Sequence, residues 1–466
     1  MSLRLYNTLT LQVQPFAPDR DNTVRMYTCG PTVYDYAHIG NFRTFVFYDI
    51  LRRWLQASGF GLNHVMNITD VDDKIIRNAT AQGKSISDYS AIYTKAYFED
   101  SALLRLQKPE HVTPATEHIP EMAAAIRKLG ELGYTYEGEG STYFRISKFP
   151  EYGKLSHINF SGNRAGARVD VDEYEKDDAR DFVLWKAAKE NEPYWDTVVG
   201  RGRPGWHIEC SVMAIEYLGD TLDLHAGGVD LIFPHHENEI AQSESLTHHP
   251  FARFWVHSEF LLVDGQKMSK SLGNFHTLRD ILDKGFSPES VRYLLASVPY
   301  RKALNFTFDG LKSAATAIDR MRNFALRLAT EPFDEGQDAA LDERAVQATA
   351  AFRESMDDDL NTAEALAATF EYVRDVNIAM DRGAFRTGNR ERAQEVLNLF
   401  DSVFDVLSTG ADSNSLADDK IDALIEERKQ AKKSRNFSRA DEIRALLADA
   451  GVILEDTKDG VRWKRK

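Results

Sequence analysis

Cysteine is almost absent from this chain: there are two in 466 residues, Cys29 and Cys210. Two thiols in a chain of this size do not make a disulfide framework, and a reducing, cytoplasmic setting is expected. No run approaches the 18 apolar residues of a membrane span, so no membrane partner is expected. No basic stretch followed by an apolar run opens the chain, so no secretory leader is expected. Internal repeats and long low-complexity tracts are also lacking. Positive charge is in deficit, with a formal net charge of −15, which is the wrong sign for a protein that handles nucleic acid by bulk attraction. The deficit is uneven. Residues 420–466 carry 13 Lys and Arg against 9 Asp and Glu, a basic tail on an acidic body.

The apolar share of 43% and charged share of 28% are those of an ordinary globular protein with room for a large core and more than one domain. Val24, Met26 and Thr28 alternate as in a strand, and a loop, Thr28 to Asn41, follows. From Phe42 apolar residues recur with a helical period up to a stop at Gly59, and Leu62–Ile68 reads as a second strand, with Asp70, Asp72 and Asp73 directly after it. Strand, loop, helix and strand begin a parallel α/β unit. Residues 116–134 are helical in pattern, and 134–196 mix glycine, aromatic and charged residues as in an inserted small fold. A helix is expected from near Cys210, a strand over 221–225, a helix through Glu239–Ala241 and a strand over 254–263, closed by the Asp264-Gly265 turn signal. Beyond Gly310 the spacing predicts three helices, around 311–328, 366–376 and 393–407. A small acidic linker at 410–419 precedes two short helices (421–433, 438–450) and two short strands (452–454, 461–463). Trp463 and Phe437, both able to stack on bases, are expected in the core of that last segment.

Three constellations carry chemistry. His38-Ile39-Gly40-Asn41 opens a helix, where a glycine lets backbone approach a phosphate and free N–H groups supply partial positive charge. Lys267-Met268-Ser269-Lys270-Ser271 places two ammonium groups and two hydroxyls on a glycine-flanked loop, as a clamp on a triphosphate requires. Cys29, Cys210, His235, His236 and Glu239 are metal-ligand types. His235 and Glu239, four apart, share a helix face, and so do His236 and Glu239 at three apart. The residues alone leave the choice of histidine open.

The first two stretches resemble the paired signatures of class I aminoacyl-tRNA synthetases. The second matches in full, and the first departs from the usual His-Ile-Gly-His at Asn41. Cys-Gly-Pro-Thr-Val-Tyr-Asp around Cys29, Asn-Ile-Thr-Asp at 67–70, Gly-Trp-His-Ile-Glu-Cys-Ser at 205–211 and Phe-Pro-His-His-Glu-Asn-Glu-Ile-Ala-Gln at 233–242 extend the resemblance, over nearly the whole chain, to the cysteinyl-tRNA synthetases. That resemblance implies an α/β fold: a Rossmann-like catalytic domain split into halves (1–115 and 201–260) by a connective insertion (116–200). A Lys-Met-Ser-Lys-Ser and stem-contact region (261–310), an all-helical bundle (311–409) and a small basic α/β anticodon-binding domain (420–466) follow. It implies one zinc ion per chain, on Cys29, Cys210, His235 and Glu239. It implies ATP with Mg²⁺ at His38, Gly40, Asn41, Lys267, Ser269 and Lys270, of which His38, Asn41, Lys267 and Lys270 are catalytic. It places substrate cysteine against Thr69, Trp206, His225 and Asp230. The partners implied are L-cysteine, ATP and tRNA-Cys, and a monomer is expected.

The implied reaction has two steps: cysteine carboxylate attacks the α-phosphate of ATP to give cysteinyl-adenylate and pyrophosphate, and a terminal ribose hydroxyl of the tRNA then takes the cysteinyl group. Cysteine differs from serine by one atom, and an apolar pocket separates such pairs by only about 1–3 kcal/mol. Zinc binds thiolate strongly and alcohol poorly, which supplies the selectivity without a hydrolytic editing site. Asn41 cannot carry charge, so it is expected to serve ATP by hydrogen bonding while His38 carries the main role.

Overall fold

The computed structural model describes residues 2–158, 181–190, 192–408, 418–434, 436–449, 452–457 and 460–465. The linker expected at 410–419 lies mostly outside them. The chain forms two compact units, Met1–Asp405 and Val406–Lys466.

A five-stranded parallel sheet organises the first unit. Its strands are β1 (Thr23–Thr28), β2 (Gly61–Ile68), β3 (His111–Pro114), β4 (Leu222–Gly228) and β5 (Ala252–Ser258). Their order across the sheet is β5-β4-β1-β2-β3, with every neighbouring pair parallel. Parallel strands are covered on both faces, which is why β4 is buried along its whole length and β1 at Val24, Met26, Tyr27 and Thr28. The first half of the chain builds outward from β1 in one direction and the second half in the other. The carboxyl ends of β1 and β4 therefore flank the topological switch point, where ligands of open α/β sheets bind.

Helix α1 (Ile39–Ala57) connects β1 to β2. It buries Phe42, Phe45, Val46, Ile50, Trp54 and Leu55, and the chain turns out of it through Gly59 at φ +87°, the glycine stop expected from the sequence. Helix α2 (Trp206–Leu218) starts four residues before the expected onset near Cys210, because Gly205 caps it and the strand before it ends at Pro204. Helix α3 (Glu237–Thr247) continues from a wide turn over Ile232–His236. Between β3 and α2, described strands from Thr135 to Pro204 form a separate five-stranded antiparallel sheet.

The strand expected over 254–263 is two strands. Beyond β5 the chain bends at Glu259-Phe260, where Phe260 is half exposed, and Leu261–Val263 joins a different sheet beside Leu304–Phe306 and Gln266–Lys267. Asp264 and Gly265 both take positive φ (49° and 75°), the pattern of a tight hairpin turn. Helix α4 (Pro288–Ala296) follows. Four long helices complete the unit, Phe308–Thr330, Ala339–Asp357, Thr362–Asp381 and Arg390–Phe404. The second of these was not expected. Its buried face includes two alanines, Ala345 and Ala348, which weaken the apolar period that would announce it.

In the second unit, helices Asp418–Lys433 and Phe437–Asp449 pack on an antiparallel pair, Val452–Thr457 with Gly460–Arg465. Ile421, Ile443, Leu447 and Val452 form its core. Trp463 packs against that core and donates Nε1–H to Asp422 Oδ1 at 2.8 Å, whereas Phe437, also expected in the core, is 62% exposed.

Candidate active site and metal centre

Cys29 follows β1, and its backbone N–H meets the Ala226 carbonyl of β4 at 3.4 Å. The next residue has to be glycine: a Cβ on Gly30 would stand 1.8 Å from the Asn67 carbonyl oxygen. This close approach seats the Cys29 loop on the carboxyl end of β2. Cys210 comes from α2, and His235 and Glu239 come from the entry into α3, spaced one turn apart as the sequence predicted.

The ligand atoms of Cys29, Cys210, His235 and Glu239 all lie within 4.8 Å of one another, and all four side chains are buried. His235 Nε2 is 2.9 Å from Glu239 Oε1 but lacks the alignment of a hydrogen bond, and no other described group satisfies it. A buried imidazole nitrogen left in this state, facing two thiols and a carboxylate, suits a bound cation, and the donor set of two sulfurs, one nitrogen and one oxygen fits zinc. On the other side of the ring, His235 Nδ1 lies 2.8 Å from His207 Nδ1, which fixes the ring's orientation.

A second group, Cys29, His225, His236 and Glu239, converges within the same distance. Here His225 Nδ1 is likewise without a hydrogen-bond partner, and His236 Nε2 lies 3.3 Å from Cys29 Sγ. His225 Nε2 bonds Glu239 Oε2 at 2.7 Å, while His236 Nδ1 bonds His257 Nε2 at 2.8 Å and His257 Nδ1 reaches Thr8 Oγ1 at 2.7 Å. His225 is also stacked on Trp255, with centroids 4.5 Å apart.

The electrostatics follow this division. Burial opposes ionisation of Glu239, but His225 and His235 outweigh it and hold the carboxyl down at about 2. Burial disfavours charge on His235 too, yet Glu239 and Cys210 raise it to about 10. Burial pushes the Cys29 thiol up; for Cys210 the hydrogen bond from Cys29 and the neighbouring His235 overcome burial and bring the thiol down to about 6. Burial and the surrounding imidazoles depress His236, and burial depresses His257 to about 3. The Cys210 thiol and the Glu239 carboxyl are thus held toward their ionised, ligating forms, and the His236 and His257 rings toward neutral.

The two class signatures meet beside this centre. His38 caps α1: its Nδ1 accepts from the Asn41 backbone N–H at 3.1 Å, and Asn41 Oδ1 accepts from the His38 N–H at 3.0 Å. Such a reciprocal pair is a capping box. It leaves the proton of a neutral His38 ring on Nε2. The sequence showed Asn41 only as a departure from the usual histidine; its capping role is legible only once the helix start is known. The Ile39 N–H reaches the His276 carbonyl at 3.0 Å, and the Met268 side chain lies close over Gly40. Lys267 is exposed in the short hairpin strand. Ser269 Oγ lies 2.6 Å from Ser271 Oγ, and its backbone N–H is held by Asn274 Oδ1 at 2.8 Å. Lys270 begins a single helical turn, Lys270–Leu272.

Of the expected substrate contacts, Thr69 is buried after β2 and His225 is buried in β4. Trp206 is 40% exposed and stacks on His235 with centroids 4.1 Å apart, and Asp230 is exposed on the turn after β4. Sequence reading passed over Glu209. It is buried, accepts from the Thr69 hydroxyl at 3.0 Å, and is raised well above the usual carboxyl range by burial and then by Cys210.

Comparison with known proteins agrees with this geometry. The family model for the tRNA synthetases class I (C) catalytic domain matches residues 15–316. The DALR domain matches 351–409, and the cysteinyl-tRNA ligase anticodon binding domain matches 416–463. The fold is similar to that of a Mycobacterium tuberculosis methionyl-tRNA synthetase solved with methionyl-adenylate (TM-score 0.60, 15% identity, 83% of this chain and 90% of that one). It is also similar to a putative arginyl-tRNA synthetase from Campylobacter jejuni (TM-score 0.54, 13% identity, 85% and 95% covered). At such identities the likeness concerns the fold alone. A parallel sheet crossed at a switch point, with both signatures at its carboxyl edge, defines a class I aminoacyl-tRNA synthetase. Cysteine–tRNA ligases of Solibacter usitatus and Koribacter versatilis are 67% and 55% identical to the chain, each over the full length of both proteins. The chain belongs to the cysteinyl-tRNA synthetase family.

Proposed function

We propose that this cysteine–tRNA ligase selects its amino acid with one zinc ion held by Cys29, Cys210, His235 and Glu239. The observation that carries this reading is the convergence of those four buried donors, with His235 Nε2 unsatisfied, at the carboxyl ends of β1 and β4. When bound, zinc supplies a soft Lewis acid that takes a thiolate in preference to a hydroxyl. The chain's own residues do the rest. Thr69, Trp206, His225 and Asp230 surround the amino acid. The α1 N-terminus and Gly40 take the ATP phosphates, and His38 Nε2–H donates to them. Lys267 and Lys270, with Ser269, neutralise charge on the triphosphate as the carboxylate attacks the α-phosphate, and Mg²⁺ accompanies the nucleotide.

The cysteinyl group then passes to the 3′ end of tRNA-Cys. The helices from Phe308 to Phe404 support the tRNA, and the basic 420–466 segment reaches the anticodon. Two free thiols and the absence, among the described residues, of any helix long and apolar enough to cross a membrane favour a cytoplasmic enzyme.

Replacing the metal with cobalt tests the reading. Cysteine should add a thiolate-to-cobalt charge-transfer band to the holoenzyme spectrum, and serine should not. An unchanged spectrum on saturation with cysteine would remove the metal from substrate selection.

A further inference from the structure

The structure assigns a positioning residue for the activation step: we propose that Arg279 fixes the base of the Lys267–Ser271 loop against the His38 signature and the helix Ile86–Leu103, so that the two lysines of the loop meet the triphosphate. The proposal rests on the reading that Lys267 and Lys270 neutralise charge there.

The loop is flanked by Gly265 and Gly273, both at positive φ (75° and 66°), and what holds it lies just beyond, in Phe275–Asp280. Phe275 packs edge-on against the His38 ring, with centroids 5.2 Å apart. The His276 carbonyl accepts from the Ile39 N–H, and Thr277 forms an isolated antiparallel bridge with His38. Thr277 then caps the short helix Leu278–Leu282 in a capping box with Asp280. These contacts seat the base of the loop on the start of α1. They run along one line of backbone, about which the base can still turn.

Arg279 supplies a second attachment, off that line. Its Nε donates to Asp100 Oδ1 and its Nη2 to Glu99 Oε2, each at 2.9 Å. Its guanidinium carbon lies over the Tyr36 ring, 4.9 Å from the centroid. Tyr36 stands two residues before His38 and meets Tyr93 of the same helix edge-on at 5.3 Å, while Tyr89 donates its hydroxyl to the Tyr34 carbonyl at 2.8 Å. One planar fork of donors thus joins the signature loop, the helix Ile86–Leu103 and the base of the lysine loop, which a lysine in its place could not bridge at once.

The two acceptors are unequal. The Glu99 side chain is half exposed, so that contact is weak. The Asp100 side chain is 2% exposed, its Oδ1 takes the Arg279 bond, and its Oδ2 has no hydrogen-bond partner among the described residues. Oδ1 accepts whether or not Oδ2 carries a proton, so the contact does not depend on ionisation of Asp100. Arg279 acts on the reaction through the loop, by setting where its lysines stand.

The test separates the two steps of the reaction in Arg279→Met, with Lys270→Ala as reference. Activation is read as cysteine-dependent exchange of pyrophosphate into ATP. Transfer is read as single-turnover passage of cysteine from enzyme-bound adenylate to tRNA. Once pyrophosphate has left, the loop has no triphosphate to neutralise, so a positioning role acts on activation alone. The expected result is a kcat for exchange lowered about 10- to 100-fold, with zinc content, the KM for cysteine and the transfer rate unchanged. Asp100→Ala should show the same selective loss, and the double variant should be no slower than Arg279→Met. Equal slowing of both steps, which a merely structural role would give, overturns the proposal. So does unchanged exchange, or a double variant in which the two losses multiply. If Arg279→Met does not fold, Arg279→Lys is read in its place, and a smaller loss confined to exchange is expected. Undiminished exchange in Lys270→Ala would defeat the clamp reading and this proposal with it, whereas a loss there with none in Arg279→Met defeats Arg279 alone.

Discussion

His235 Nε2 stands 2.9 Å from Glu239 Oε1, one turn further along the same helical entry, while the adjacent His236 turns its Nδ1 to His257 at 2.8 Å. Both histidines turn Nε2 toward Cys29 and Glu239, His236 Nε2 lying 3.3 Å from Cys29 Sγ. They differ at Nδ1, which meets His207 in the first and a relay through His257 to Thr8 in the second.

Zinc analysis of two variants separates the two ligand groups. His235→Ala should lose stoichiometric zinc and cysteine activation together. His236→Asn, which removes a neighbour of the ligands and no ligand, should keep its zinc with affinity lowered at most about 10- to 100-fold. The opposite pattern would assign the metal to Cys29, His225, His236 and Glu239.

At the start of α1, Asn41→Ala removes the acceptor for the His38 N–H and half of the capping box. A loss of about 0.3–1.5 kcal/mol is expected in urea unfolding. The KM for ATP should rise as His38 loses its fixed position. Asn41→His, which restores the usual signature, should leave activity within a few-fold of wild type; a large gain would show that the position needs an imidazole rather than a cap.

A third prediction concerns the link between the catalytic sheet and the helices that follow it. Asp49 on α1 is fully buried and accepts from Arg292 on α4, which also donates to the Leu104 and Phe404 carbonyls. Burial opposes ionisation of Asp49, but Arg292 and Arg53 hold its carboxyl below the ordinary range. Asp49 therefore adds stability above about pH 4, its unfolded value, and that contribution is lost as the pH falls through the lower folded value. Asp49→Asn should cost about 3–5 kcal/mol at neutral pH, because it leaves Arg292 buried without its counter-charge. Urea unfolding from neutral to acid pH should show the gap to wild type closing as the solution is acidified.

How far the sequence foretold this structure depended on how locally each feature is specified. The apolar spacing of Phe42 to Leu55 and the Gly59 stop announce α1 because helix period and glycine conformation are local properties. The break after Ser258 was not legible, since Glu259-Phe260 carries no turn residue and the two strands part only because they join different sheets. Cys29 and Glu239 are brought together by the crossing of the sheet between β1 and β4, and no spacing in the chain encodes that; only the family resemblance pointed to the four residues as a set. Glu209 had no local signal at all, because a glutamate in the first turns of a helix ordinarily faces solvent, and here the Thr69 loop covers it.

The most direct test of the centre is to strip zinc with a chelator and follow cysteine-dependent exchange of pyrophosphate into ATP, alongside the same assay on Cys210→Ser. The expected result is that zinc and exchange disappear together, that added zinc restores both in the wild-type chain, and that Cys210→Ser has neither. Undiminished exchange by a zinc-free chain would contradict selection of cysteine by metal.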